Sequence, residues 1–136
     1  MKILIDTNIF LDFTLQRAPY FVEASQILKA CSETIHGYLT TCQTKDIYYF
    51  TRKLGGLEGN LQYFLLTLFS QVTIVESNQA DVLKALASNF SDYEDALLHF
   101  SAVRHQLDYI LTRNTKDFKH SLLPVISPTQ FLEMTR

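Results

Sequence analysis

With 136 residues and 47% hydrophobic content, the chain is sized for one compact domain over residues 1–136 around a single core. A net charge of −2 excludes nucleic-acid binding by overall charge, so any such role needs a local basic patch. The apolar start MKILI is too short for a secretory signal, and the most apolar stretch, Leu61 to Val75, is interrupted by Gln62, Thr67 and Gln71 and is too short to span a bilayer. No linker or solenoid repeat divides the sequence. Cys31 and Cys42 lack metal-type spacing and read as reduced thiols of a cytoplasmic protein.

Lys2 to Ile5 is an apolar run suited to a strand buried on both faces. Asn8 to Leu15 reads as a short helix. Pro19 fits the first turn of a second helix, whose apolar face is Phe21, Ala24, Ile27, Leu28 and Cys31. Gly37 opens a strand over Tyr38 to Thr41. A helix is expected over Thr44 to Leu54, closed by Gly55-Gly56. Leu57, Leu61, Phe64, Leu65 and Leu68 continue at helical spacing, and Val72 to Val75 is a third strand. Ser77 or Asn78 caps the next helix, with Val82, Leu83, Leu86 and Ala87 inward. Ser91-Asp92-Tyr93-Glu94 is a capping-box pattern opening a helix to about His105. Tyr109 to Thr112 is a fourth strand. Leu123 to Ile126 is a fifth, and Pro124 puts it at a sheet edge. Ser127 or Pro128 opens a last helix carrying Phe131, Leu132 and Met134.

Strands alternating with helices predict an α/β three-layer sandwich: a mostly parallel, about five-stranded sheet flanked by helices. Ligands of such sheets sit beyond the C-terminal strand ends. Asp6 ends the first strand. Asn114 and Asp117 follow the fourth, in LTRNTKDF. Asp95 opens the preceding helix, with Asp92 and His99 on its stripe. Asp46 lies near the start of the helix after the second strand. In a parallel sheet these acids converge on one edge, where they raise each other's pKa. A hard divalent cation removes that penalty, and oxygen-only ligands favour Mg2+ or Mn2+ over zinc. Each residue taken singly has a plainer reading. Asp6 and Asp92 can cap helices, Asp46 can be a solvated first-turn acid, Glu94 can be the reciprocal acid of a capping box, Asp117 can cap the turn before Phe118, and His99 suits packing or hydrogen bonding.

Four segments resemble the PIN-domain family of metal-dependent ribonucleases. ILIDTNIFLD resembles its first motif, LTTCQTKDIYYF the second in placement, SDYEDALLHFSA the third and LTRNTKDF the fourth, followed by the ending PVISPTQFL. The resemblance implies a parallel sheet with an acidic cleft, one or two Mg2+ or Mn2+ ions and endoribonuclease chemistry. It makes Asp6, Asp95 and Asp117 metal ligands and adds Asp46 to the catalytic acids. Asp46 stands where the family has Glu, one methylene longer, and Asn114 stands where many members have an acid. Thr7, Asn8, Thr112 and Asn114 would hold the acids in place, with Glu94 an extra acid beside the ion. RNA approaching such a site needs rim cations, for which Arg52, Lys53, Arg113, Lys116 and Lys119 are candidates, and Tyr48, Tyr49 and Phe50 offer stacking faces. Family and size together imply the toxin of a type II toxin–antitoxin pair, of the VapC type, with a cognate antitoxin blocking the cleft, and a homodimer.

The competing reading is a PIN-like module that binds RNA or protein without cutting, motivated by Asp46 and Asn114. An aspartyl-nucleophile phosphatase would need a second acid where Asn8 stands. A nucleotide-binding role would need a glycine-rich phosphate loop, which is absent.

Overall fold

A computed structural model describes residues 1–55 and 59–135. Gly56 of the expected glycine cap and Leu57 of the expected apolar stripe lie outside those residues. Five strands, β1 (Lys2–Ile5), β2 (His36–Thr40), β3 (Thr73–Val75), β4 (Tyr109–Leu111) and β5 (Val125–Ile126), form one all-parallel sheet in the order β3-β2-β1-β4-β5. The described residues also form seven α-helices, α1 (Thr7–Thr14), α2 (Phe21–Glu33), α3 (Thr41–Leu54), α4 (Leu61–Phe69), α5 (Gln79–Leu86), α6 (Tyr93–Arg104) and α7 (Pro128–Met134), and a short 3-10 helix over Thr115–Phe118 that carries Asp117. β5 lies at an edge, where Pro124 costs no ladder bond.

The pleat sorts the core into two layers. Ile3, Ile5, Leu39, Leu111 and Ile126 face one side, packed on Ile9, Phe10, Ala24, Ile27, Ile47, Leu65 and Phe131 of the helices. Leu4 and Ile110 face the other, packed on Leu98, Ala102 and Phe118. Ile3, Leu4 and Ile5 are all fully buried, each contributing about 1.5–3 kcal/mol of apolar burial. Gly37 belongs to this packing, because a Cβ there would stand 2.7 Å from Cys31 Sγ.

Several boundaries depart from the sequence expectation. α2 begins at Phe21, so Pro19 lies in the preceding turn after a cis peptide bond. β2 ends at Thr40, and α3 begins at Thr41, three residues before Thr44. The cause is a capping box: Thr40 Oγ1 accepts from Gln43 N–H and Gln43 Oε1 accepts from Thr40 N–H. Asp46 therefore sits in the second turn of α3. α5 is rotated relative to the expected face. Leu83 and Leu86 are 57% and 67% exposed and Ala87 is also exposed, while Asp81 and Ala85 are buried. Asp81 turns inward because Arg104 Nε reaches both its oxygens at 3.1 Å and Ser101 donates at 3.3 Å. No helix among the described residues is long and apolar enough to cross a membrane.

Candidate active site

The chain adds β2 and β3 on one side of β1 and then returns to lay β4 and β5 on the other. The gap beyond the ends of β1 and β4 is the topological switch point, where open parallel sheets bind ligands. Asp6 stands there, its backbone N–H bonded to Leu111 O at 2.9 Å. It occupies the N-cap position of α1, yet its side chain makes no capping bond. Instead Asp6 Oδ2 accepts from Thr112 Oγ1 at 2.8 Å, and that hydroxyl accepts from Asn114 N–H at 3.0 Å. Asp6 is 5% exposed. Burial pushes its carboxyl above the ordinary range, and Asp117 adds to that. The Thr112 bond and the Arg113 charge pull the other way.

A buried carboxamide fixes the floor of the site. Gln43 Nε2 donates to Ile5 O at 2.7 Å and to Thr7 Oγ1 at 3.2 Å, so α3 is tied to the turn carrying Asp6. Asn8 faces the same space, and its Oδ1 accepts from Arg17 Nη2 at 3.3 Å.

α6 supplies most of the remaining acids. Its cap is Asp92, which accepts from Asp95 N–H at 3.0 Å. The box expected of Ser91 and Glu94 is thus displaced by one residue, and Glu94 is free to face the cleft. Asp95 has its carboxyl pushed up to about 7, first by burial and then by Asp6, Asp92, Asp117 and Glu94. Glu94 is raised by burial, Asp46 and Asp92, with Lys45 opposing. The acids act on one another across the cleft: Asp117 raises both Asp6 and Asp95, and Asp46, Asp92 and Asp6 raise Glu94.

Together these residues line a cleft of about 600 Å3. Asp6, Asp46, Asp92, Glu94, Asp95 and Asp117 bring six carboxylates to it, with Thr7, Asn8 and Asn114 between them. Lys45 is the one cation among its described lining residues, and Phe50 and Tyr93 are its aromatic ones. None of Arg52, Lys53, Arg113, Lys116 and Lys119 lines it. Arg113 departs most from the expectation, because its guanidinium is committed to Asp12 and stacked on Tyr20. Lys53 donates to Tyr49 Oη at 3.3 Å, Arg52 is exposed at the far end of α3, and Lys116 and Lys119 are exposed beside Asp117. Tyr48 is half-buried against the core, while Tyr49 and Phe50 are exposed.

His99 takes the packing role. It is fully buried between Phe90 and Phe100, its Nε2 accepts from Leu122 N–H at 2.9 Å, and burial pushes its pKa down to about 4. Cys31 is buried with its thiol pushed up to about 12 by burial, Cys42 is exposed at the cleft, and both are free. Lys45, Gln43 and Asp12 escaped the sequence reading. The capping box at Thr40 would have found Gln43, and an acid inside the apolar IFLDFT, five residues before Arg17, is the signature of a buried ion pair.

Among the described residues, no three acidic, histidine or cysteine side chains stand placed to hold an ion as they are. Mg2+ asks for less, since it usually keeps several waters and takes one or two carboxylates. Asp6 and Asp95 offer only oxygens and repel one another in a partly buried cleft, which a cation offsets. The residues present fit a hydrated Mg2+ or Mn2+ rather than a dry cage.

Residues 2–116 match the family described as PIN domain, a span that takes in every acid named above except Asp117. No curated protein matches the chain. Solved structures do. A toxin–antitoxin complex from Klebsiella pneumoniae is 26% identical, with 92% of this chain and 96% of that one covered and a TM-score of 0.70. VapBC2 from Rickettsia felis, bound to a DNA fragment from its promoter, is 14% identical, with coverages of 93% and 98% and a TM-score of 0.69. FitAcB from Neisseria gonorrhoeae is 17% identical, with coverages of 93% and 98% and a TM-score of 0.67. The last two speak to the fold alone.

Proposed function

The chain belongs to the PIN-domain family, and on that premise we propose that it is a single PIN-like domain over residues 1–136 acting as an Mg2+- or Mn2+-dependent endoribonuclease. The observation that carries this reading is the cleft itself: Asp6 buried at the switch point, facing an Asp95 whose carboxyl is pushed up to about 7 by burial and by its acidic neighbours. Asp6 and Asp95 would hold the ion, with Asp117 at the open side. When bound, a divalent ion acidifies the water it carries and offsets charge on phosphate oxygens.

The chain's own residues supply the rest. Thr112 fixes the Asp6 carboxylate through its hydroxyl, and Asn114 fixes Thr112. With the ion held, the ionised Asp95 carboxylate would orient the attacking water. Lys45 meets the RNA backbone and Phe50 offers a face to a base. The Klebsiella pneumoniae structure is of a toxin–antitoxin complex. That likeness supports a type II toxin with a cognate antitoxin covering the cleft. Free thiols suit the cytoplasm, and the exposed Tyr63, Leu66 and Leu54 leave apolar surface for a homodimer.

The test is cleavage of a mixed RNA pool with Mg2+, with Mn2+ and with EDTA, by the wild type and by Asp6→Asn. The reading requires cutting that depends on the ion and is lost in the variant while its fold is intact. A second reading rests on two departures from the family pattern: Asn114 stands where many members have an acid, and Asp46 where they usually have the longer Glu. A folded protein, free of any partner, that binds RNA without cutting would establish that non-catalytic module instead.

A further inference from the structure

Behind the cleft wall lies a charged cluster that the proposed chemistry does not touch. Asp12, on α1 one turn after Asn8, is 1% exposed. Arg113 grips it with both arms of its fork, Nε to Oδ2 at 2.8 Å and Nη2 to Oδ1 at 3.1 Å. Arg17 Nε stands 3.0 Å from Asp12 Oδ1. The outer face of Arg113 is closed by Tyr20, whose ring centroid is 4.0 Å from Cζ. Backbone geometry serves the same cluster: Gln16 adopts φ +51, a left-handed conformation that a residue with a Cβ rarely takes, and the next residue, Arg17, turns back over α1.

Each arginine leads to one wall of the cleft. Arg17 Nη2 donates to Asn8 Oδ1 at 3.3 Å and to Asn8 O at 3.4 Å, holding the turn that follows Asp6. Arg113 lies between Thr112, which donates to Asp6, and Asn114, which donates to Thr112. The two turns come from chain segments about a hundred residues apart and meet through one carboxylate. A buried ion pair is a weak source of stability, because an apolar side chain fills the same space without the desolvation cost. The directional bonds of the Arg113 fork are what an apolar side chain cannot supply, while Arg17 meets Asp12 by charge without hydrogen-bond geometry.

We infer that Asp12 is a positioning residue which, through Arg113 and Arg17, sets the Thr112–Asn114 turn and the Asn8 turn in register so that Asp6 and Asn114 face the same point of the cleft. Arg113 is therefore a strut rather than a phosphate contact.

The kinetic arm of the test rests on the nuclease reading; a second arm does not. Arg113→Lys keeps the charge and loses the fork, Asp12→Asn keeps the shape and loses the charge, and Tyr20→Leu removes only the stacking face. Steady-state cleavage should show kcat down about 10- to 100-fold in the first two variants with KM changed less than about threefold, the usual scale for residues that orient ligand side chains. Amide hydrogen exchange should quicken about tenfold or more at Ile9 and Asn114, the turns released, and stay unchanged at Ile110, which bonds Pro124 O inside the sheet. Unchanged kcat and unchanged exchange in folded variants would overturn the inference. So would a raised KM at unchanged kcat in Arg113→Lys, which would make this arginine an RNA contact. If Asp12→Asn does not fold, Arg113→Lys decides the matter by the same two readouts. If the wild type cuts no RNA, the nuclease reading fails separately and the exchange pattern alone decides this one.

Discussion

Asp95→Asn should make the metal-free protein more stable while removing its activity. The Asp95 carboxyl protonates at about 7 in the fold against 3.8 ordinarily, because of burial and the acids facing it. A carboxyl raised in the folded state favours folding at low pH, and that contribution is lost as pH rises through about 7. At about pH 8 the ionised group opposes folding by at most roughly 4 kcal/mol, at about 1.4 kcal/mol per pKa unit. Asp95 is only partly buried, so solvent screening reduces this to about 1–2 kcal/mol. Asparagine also gives up a favourable first-turn charge on α6, worth about 0.5 kcal/mol. The net gain of about 1 kcal/mol corresponds to a rise of roughly 3–5 °C in Tm for a domain of this size. The assay is thermal unfolding in EDTA at about pH 8, more than a unit above the ordinary histidine value of 6.5, where the neutral, buried His99 no longer changes its own contribution. Saturating Mg2+ should raise the Tm of the wild type and leave that of the variant nearly unmoved. A variant Tm equal to or below the wild type at about pH 8 in EDTA would refute the reasoning, since Asp95 would then not be held against its neighbours.

Asp46→Glu lengthens the acid that faces Glu94 by one methylene and should keep or raise kcat/KM; a loss of about tenfold or more would show that Asp46 is not short of its task. Lys45→Ala removes the one cation lining the described cleft and should weaken RNA binding while lowering the slope of log affinity against log salt by about one; an unchanged slope would free Lys45 from phosphate contact. Gly37→Ala places a Cβ 2.7 Å from Cys31 Sγ and 3.1 Å from Ile5 Cδ1, so chemical denaturation should show a loss of about 1–3 kcal/mol. Cys31→Ala in the same chain should recover part of it, and strict additivity would mean the clash is not with that sulfur.

The alternation of short apolar runs with helical stripes was enough to read an α/β sandwich, since strands buried on both faces leave continuous apolar runs such as Ile3-Leu4-Ile5. Pro124 likewise marked the edge strand. Helix boundaries read less well where two caps compete: Ser91 and Asp92 both precede an acid three residues on, and the sequence alone does not say which hydroxyl or carboxylate the turn will use. The buried face of α5 differs from its hydrophobic spacing for another reason. Asp81 is drawn inward by Arg104, a partner 23 residues away, and hydrophobic spacing carries no trace of such a pairing. Arg113 shows the same blindness in the site. Its neighbours in LTRNTKDF suggested a rim cation, but a carboxylate 101 residues away claims it.

The charge balance of the cleft explains why the acids and the basic residues cannot be judged separately. Six carboxylates face one lysine among the described lining residues. An RNA phosphate entering that space meets net repulsion, and none of the other described cations lines it: Arg113 and Arg17 are paired with Asp12, Arg104 with Asp81 and Glu76, and Arg52 and the remaining described lysines lie outside. Positive charge in the cleft must then come from something the cleft binds. The same repulsion that raises Asp95 supplies the affinity for a cation, and the cation in turn makes room for the phosphate. The proposed nuclease reading therefore predicts positive coupling between metal and RNA, each tightening the other by the same factor. A partner protein carrying a cationic side chain into the cleft would exploit the same vacancy of charge and compete with both.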